Sequence, residues 1–234
     1  AIAFTVERVA GRIKVIAGTG SNSTRESSRL SQFARKCGAD GALLIAPYYN
    51  KPTQEGLLAH YSTITEAVDL PALVYNIPGR AAVNILPETM AKLAEIPNIV
   101  GVKEASGSLD QVNRTVQYCG PDFTVLSGDD TLTLPIMSVG GKGVIAVISN
   151  LMPSTLREMV DAANAGKLQE ARALHHKMLP VMQAMGLETN PIPVKAALAL
   201  MGKIEDGLRL PLQVLKSAQR EELRATLREA GLLS

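Results

Sequence analysis

An α/β fold built on a parallel sheet is predicted by three features of the chain. Apolar, β-branched runs recur at intervals of about 20 to 30 residues, starting near Ile13 (IKVIAGTG), Ala42 (ALLIAPYY), Ala72 (ALVYNIP), Ile99 (IVGVKEAS), Phe123 (FTVLSGDD) and Gly143 (GVIAVISN). Each is short and nearly continuous in hydrophobicity, the pattern of a strand covered on both faces. Helix-length amphipathic segments lie between them, and alternating β and α at this spacing implies crossover connections and parallel strands. Polar and glycine residues collect at the carboxyl end of each run: Gly18-Thr19-Gly20, Tyr48-Tyr49-Asn50, Tyr75-Asn76, Lys103-Glu104, Ser127-Gly128-Asp129-Asp130 and Ser149-Asn150. Sites of α/β proteins are built at that end.

Taken in order, Ala1–Ala10 reads as the end of an amphipathic helix. Ser23-x-x-Glu26 and Ser108-x-x-Gln111 have the form of capping boxes, and Thr53, Asp130 and Ser154 are further candidate caps. Six βα units are visible, whereas a closed (β/α)8 barrel needs eight. A barrel reading therefore expects the natural protein to begin about two units, roughly 55 residues, earlier. An open doubly wound sheet is the alternative, although no G-x-G-x-x-G follows any strand. From Pro153 onward only helical pattern remains, interrupted by Asn190-Pro191-Ile192-Pro193 and Arg209-Leu210-Pro211. The expected division is a barrel region over 1–160 and a C-terminal helical region over 161–234, packed on the barrel or used in assembly.

The 234-residue chain is 46% hydrophobic and 20% charged, enough for a sizeable core. Lys and Arg number 24 against 22 Asp and Glu, a net charge of +2 that gives no argument for nucleic acid or an anionic membrane as partner. The absence of Trp and 3% aromatic content argue against a base-stacking surface. No run reaches the roughly 18 apolar residues of a bilayer span, and no basic-then-apolar signal opens the sequence, so a cytoplasmic protein is expected. Cys37 and Cys119 lack the spacing of a metal or redox motif and read as buried reduced thiols.

Chemistry is expected first at Lys103, at the end of Ile99-Val100-Gly101-Val102. A desolvated lysine loses proton affinity, and the neutral amine is a nucleophile able to form a Schiff base with a carbonyl. Exposure statistics alone favour a lysine that merely extends its ammonium into water. Asp129-Asp130 reads as a helix cap rather than a metal site, and Gly140-Gly141-Lys142-Gly143 lacks the spacing and the Ser/Thr of a P-loop. His175 and His176 fall on a long helix, about 100° apart, and read as solvated surface rather than metal ligands.

The motifs GTG, PYYNKP, VYNIPGR, VGVKEASG, LSGDD, GVIAV and NPIPVK, in this order and spacing, resemble those of the dihydrodipicolinate synthase family over essentially the whole chain. The resemblance implies a (β/α)8 TIM barrel with a helical tail, in a homotetramer assembled as a dimer of tight dimers. It implies a lyase of lysine (diaminopimelate) biosynthesis that condenses pyruvate with aspartate 4-semialdehyde, with no metal or cofactor. Lys103 would form the imine, Tyr75 would shuttle protons, and Tyr49 would reach across the tight-dimer interface into the neighbour's relay. Arg80 would hold the semialdehyde carboxylate, and Gly128 and Ile145 would line the pyruvate pocket. Gly20, Asn22, Glu26 and Tyr48 match part of the pocket where lysine inhibits many members. The family's Gly-Thr-Thr-Gly-Glu loop falls upstream of Ala1.

Two other classes share part of this pattern. A sister aldolase acting on N-acetylneuraminate or a 2-keto-3-deoxy sugar acid would keep Lys103 and Tyr75 but would generally lack an arginine five residues past the tyrosine. A catalytically incomplete scaffold is the reading suggested by the threonine loop's position outside the sequence.

Overall fold

The computed structural model describes residues 1–233, so the last residue of the expected 161–234 region lies outside the described residues. The chain divides into two compact units, one comprising Ala1–Gly128 with Val139–Lys142, the other Asp129–Ser138 with Gly143–Ser234.

In the first unit, strands and helices alternate as the spacing predicts. The strands are β1 (Ile16–Gly18), β2 (Gly41–Ile45), β3 (Ala72–Asn76), β4 (Ile99–Glu104) and β5 (Thr124–Ser127). The helices are α1 (Ile2–Val9), α2 (Thr24–Lys36), α3 (Gln54–Ala67), the single turn α4 (Pro78–Ala81), α5 (Pro87–Ala94) and α6 (Leu109–Cys119). Each strand pairs in parallel with the next in sequence, from β1 to β5. This order never reverses, and crossovers of one hand then place every helix on the same face. That is the wall of a (β/α) barrel; the doubly wound alternative needs a switch point that β1–β5 do not have.

Burial follows the strand reading. Val74 and Val102 are fully buried in the central strands, whereas β1 shows an exposed–buried–exposed pattern with Ile16 47% exposed. The apolar sides of α2, α3 and α5 cover the sheet with Ala34, Leu57, Tyr61, Ile64, Met90 and Leu93. Burial drives the Tyr61 phenol well above its usual range, so it stays protonated.

In the second unit a two-residue strand, β6 (Gly143–Val144), follows α7 (Thr133–Ser138). The remainder is helical, as expected: α8 (Pro153–Asn164), α9 (Leu168–Ala184), α10 (Ile192–Leu200) and α11 (Ser217–Glu229). These helices bury one cluster that includes Leu156, Met159, Met178, Val181, Leu223 and Leu227. Five methionines in that core, Met152, Met159, Met178, Met182 and Met185, fill gaps that branched residues would leave. Among the described residues, no helix is long and apolar enough to cross a membrane.

Several local expectations change. Ser154 does not cap α8, which starts on Pro153 without a side-chain cap, the usual use of proline in a first turn. His175 is buried at 9% exposure while His176 points outward, because the apolar stripe of α9 runs through Ala171, His175, Met178 and Met182. Desolvation holds the His175 imidazole below its usual pKa, and the neighbouring His176 adds to the effect. Cys37 and Cys119 are half-buried rather than fully buried, with burial pushing the Cys119 thiol up to about 11.

Candidate active site

The exits of β3 and β4 supply the central pair. β4 runs one residue beyond the sequence expectation, because Glu104 continues the ladder opposite Asn76 and Ser127; Lys103 is therefore the penultimate strand residue. Tyr75 and Lys103 are register partners, so they share one face of the sheet. The Lys103 Nζ lies 4.1 Å from the centroid of the Tyr75 ring. The ring face thus covers one side of the amine, and both residues are half-buried.

Tyr75's phenol is pushed up from its ordinary pKa by burial, an effect that the nearby Arg80 guanidinium opposes. A protonated phenol beside an amine is a ready proton donor. Arg80 sits on α4, the turn after β3, with an exposed side chain. Pro78 at the start of that turn fixes the backbone that carries it.

Gly128 follows β5 and faces the same lysine. A Cβ there would lie 3.1 Å from Lys103 Cε and 2.7 Å from Ala105 Cβ. The missing side chain is what gives the Lys103 stem its space. Gly101, two residues before Lys103, instead lets β4 approach β5 closely: a Cβ there would meet the Thr124 carbonyl oxygen at 2.3 Å. Ile145 lies in the second unit, half-buried, directly after β6.

Tyr49 follows β2 in an unusual state. It is 87% exposed and its φ is +76°, a left-handed conformation uncommon for a bulky residue. Its backbone N–H donates to the Ala81 carbonyl at 3.3 Å, which ties this loop to α4.

The residues matched to a lysine pocket share one corner. Asn22 Nδ2 donates to the Tyr48 carbonyl at 3.2 Å, and Asn50 Nδ2 donates to the Asn22 carbonyl at 3.0 Å. Gly20 passes so close to β2 that a Cβ would lie 2.3 Å from Ile45 N. The Ser23 box is only half closed: its hydroxyl accepts from Glu26 N–H, while the Glu26 carboxylate accepts from Ser21 Oγ instead of reaching back to Ser23.

Asp129 and Asp130 divide the capping work. Asp129 Oδ1 accepts from the N–H groups of Thr131 and Leu132. The Asp130 carboxylate, expected to cap the helix that follows it, instead accepts from the N–H groups of Val147 and Ile148 at 2.9 and 2.7 Å.

Sequence reasoning missed a polar network on the opposite face of the same strands. Asn76 Nδ2 donates to both Glu104 oxygens and to Asn84 Oδ1. Gln111 Nε2 donates to Glu104 Oε2 at 3.2 Å, and Asn84 Nδ2 donates to Gln111 Oε1 at 2.7 Å. Gln111, read as the far end of a capping box, keeps only half that function: Ser108 Oγ accepts from its backbone N–H while its amide turns to the network. The available signal was a charged residue next to Lys103 in an otherwise apolar strand.

With this geometry established, comparison with known proteins is decisive. The sequence matches the dihydrodipicolinate synthetase family over residues 1–230. The chain belongs to that family. A 4-hydroxy-tetrahydrodipicolinate synthase of Syntrophus aciditrophicus is 55% identical over 232 residues, 99% of this chain and 80% of the relative. The crystal structure of the Thermotoga maritima dihydrodipicolinate synthase superposes with a TM-score of 0.97 at 49% identity, covering 99% of this chain and 80% of that one. A chloride-inhibited dihydrodipicolinate synthase of Acinetobacter baumannii, complexed with pyruvate, does so at 0.97 and 44% identity, covering 99% and 79%. The chain thus spans about four-fifths of its relatives' length, and its fold is a partial (β/α)8 barrel.

Proposed function

We propose that this chain carries out the reaction of 4-hydroxy-tetrahydrodipicolinate synthase, joining pyruvate to aspartate 4-semialdehyde through an imine on Lys103. The observation that carries the assignment is the register pairing that stacks the Lys103 amine over Tyr75 at the strand exits. The Acinetobacter relative that holds pyruvate supports the first substrate.

Neutral Lys103 Nζ adds to the ketone carbon of pyruvate, and loss of water leaves the imine. Removal of a methyl proton gives the enamine, whose carbon forms the new bond to the aldehyde carbon while the aldehyde oxygen takes up a proton. The substrate's amino group then attacks the imine carbon, closing the ring and releasing Lys103. Tyr75, kept protonated by burial and adjacent to the amine, is the group that gives and recovers protons in these steps. Arg80, on the turn after Tyr75, binds the semialdehyde carboxylate with its two-pronged guanidinium in this reading.

Gly128 lines the pyruvate side in this reading. Tyr49, with its ring in solvent and its backbone held at positive φ, is suited to a partner outside its own chain, consistent with a homotetramer of tight dimers in the cytoplasm. Gly20, Asn22, Glu26 and Tyr48 form the candidate lysine pocket.

Borohydride reduction in the presence of pyruvate, followed by peptide mapping, tests the assignment. A pyruvate-derived mass on the peptide containing Lys103 is expected, and no adduct there overturns the mechanism. In a coupled assay, turnover of aspartate 4-semialdehyde is expected; preferential cleavage of a sugar acid overturns the substrate choice in favour of a sister aldolase.

A further inference from the structure

We infer that Glu104 is a positioning residue for the Schiff-base centre: its buried carboxylate locks the strand exits that present Lys103 and Tyr75. The inference rests on the imine reading above. Glu104 adjoins Lys103 but points to the opposite, helix-facing side of the sheet, where it is 1% exposed. It is therefore not placed to touch substrate, and filling that space would require only an apolar side chain. A buried carboxylate is retained against its desolvation cost only where donors compensate it.

Those donors come from each segment that shapes the centre. Asn76 Nδ2, from the residue after Tyr75, lies 3.2 and 3.1 Å from the two carboxylate oxygens. The backbone N–H of Ser106, in the turn after β4, donates to Oε1 at 2.7 Å. Gln111 Nε2, on α6, donates to Oε2 at 3.2 Å. Backbone bonds close the arrangement: Ala105 N–H donates to the Asn76 carbonyl at 2.8 Å, and Gly128 N–H to the Glu104 carbonyl at 2.7 Å.

The support continues outward. Asn76 Oδ1 accepts from Ile85 N–H at 3.0 Å, and Gln54, at the start of α3, donates to the Asn84 carbonyl at 2.9 Å. Gln54 Oε1 also accepts from Thr89 Oγ1 at 2.7 Å. The carboxylate thus anchors a chain of amides that fixes the backbone on both sides of the Tyr75–Lys103 pair. A displacement of the reacting amine by a fraction of an ångström is enough to slow addition to a carbonyl steeply.

The test is Glu104→Gln in the full chain, which keeps shape but presents an NH2 to groups that are themselves donors. Expected is a fall of at least ~10-fold in the rate of borohydride-trappable imine formation, counted per Lys103 that can eventually be trapped. The loss should appear in kcat with KM for pyruvate shifted less than about threefold, because the altered group does not bind substrate. Exchanging donor and acceptor in the double variant Asn76→Asp/Glu104→Gln restores the pairing between these two positions, while one of Ser106 N–H and Gln111 Nε2 still faces the new amide, and should recover part of the rate. A merely structural role would lower the melting temperature and the trappable fraction but leave the per-site rate unchanged.

If Glu104→Gln does not melt cooperatively, Glu104→Asp, which shortens the reach by one methylene, is measured instead and should show the same loss in kcat. An unchanged per-site rate in the folded variant, or a double variant no faster than the single, overturns the inference. Absence of any adduct on Lys103 in the unaltered chain overturns the imine reading itself, a distinct result.

Discussion

The two faces of the β3–β4 exit carry similar numbers of polar groups and treat them in opposite ways. On one face Tyr75 and Lys103 are half-buried and in contact through a ring and an amine, with the Arg80 charge acting on Tyr75. On the other face Asn76 and Glu104 are buried to 0% and 1% exposure, and their amide and carboxylate groups are bonded in a closed network. In the proposed reaction Tyr75 exchanges protons and Lys103 forms a covalent bond, so both must be reachable by substrate. A residue that fixes backbone geometry is most effective when its polar groups are all bonded within the protein. One strand, read at period two, alternates between these demands.

The comparison predicts that damage to the first face stops chemistry without unfolding, and that damage to the second costs stability. Lys103→Ala is the largest effect: pyruvate trapping and turnover should disappear while the melting temperature stays near that of the unaltered chain. A fall in melting temperature of several degrees would show that Lys103 also belongs to the structural face. Next is Arg80→Ala, expected to spare imine trapping and to cost about 2–4 kcal/mol in the condensation, the loss of a charge-assisted two-pronged contact. Equal loss in both steps would assign Arg80 to structure instead. On the buried face, Gln111→Leu removes a donor from Glu104, the acceptor of Asn84 Nδ2 and one of the two donors to Asn84 Oδ1, which keeps Asn76. Leaving those groups unsatisfied should destabilise the fold by about 1–3 kcal/mol in urea unfolding.

The first face was legible in the sequence and the second was not, for a physical reason. Lys103 stands out as a lysine closing an apolar run, and the motifs that resemble the family's single out Tyr75 and Arg80 beside it. The parallel order and the helical C-terminal region were legible from periodicity. Asn76, Asn84 and Gln111 break no pattern, since amides at strand exits are ordinary and Ser108-x-x-Gln111 is satisfied by a helix start; Glu104 alone stands out, as a charge in an apolar run, and does not reveal its partners. Their joint meaning appears only when two strand ends, a loop and a helix meet in space. Asp130 shows the same limit, since its cap is 17 residues away in sequence at Val147. His175 failed differently, because a helix stripe buries whatever residue its phase demands.

The smallest predicted effect concerns the coupling within the reactive face. Two influences act on Tyr75: burial raises its phenol's pKa, and the Arg80 charge pulls it back. Removing Arg80 deletes only the second, so Arg80→Ala should move the Tyr75 titration to still higher pH. The difference in phenolate absorbance between this variant and the Tyr75→Phe/Arg80→Ala double variant isolates that one ring among the five tyrosines. The sign has a consequence for catalysis. Deprotonation of the phenol marks the loss of a proton donor at the imine centre, so the alkaline limb of the trapping rate should shift upward with the titration. Because Arg80 is exposed, raised salt should reproduce part of the shift in the unaltered chain by screening the charge. A downward shift in Arg80→Ala would mean that the guanidinium acts on Tyr75 mainly by excluding water, and the reactive face would then be more enclosed than its exposure indicates.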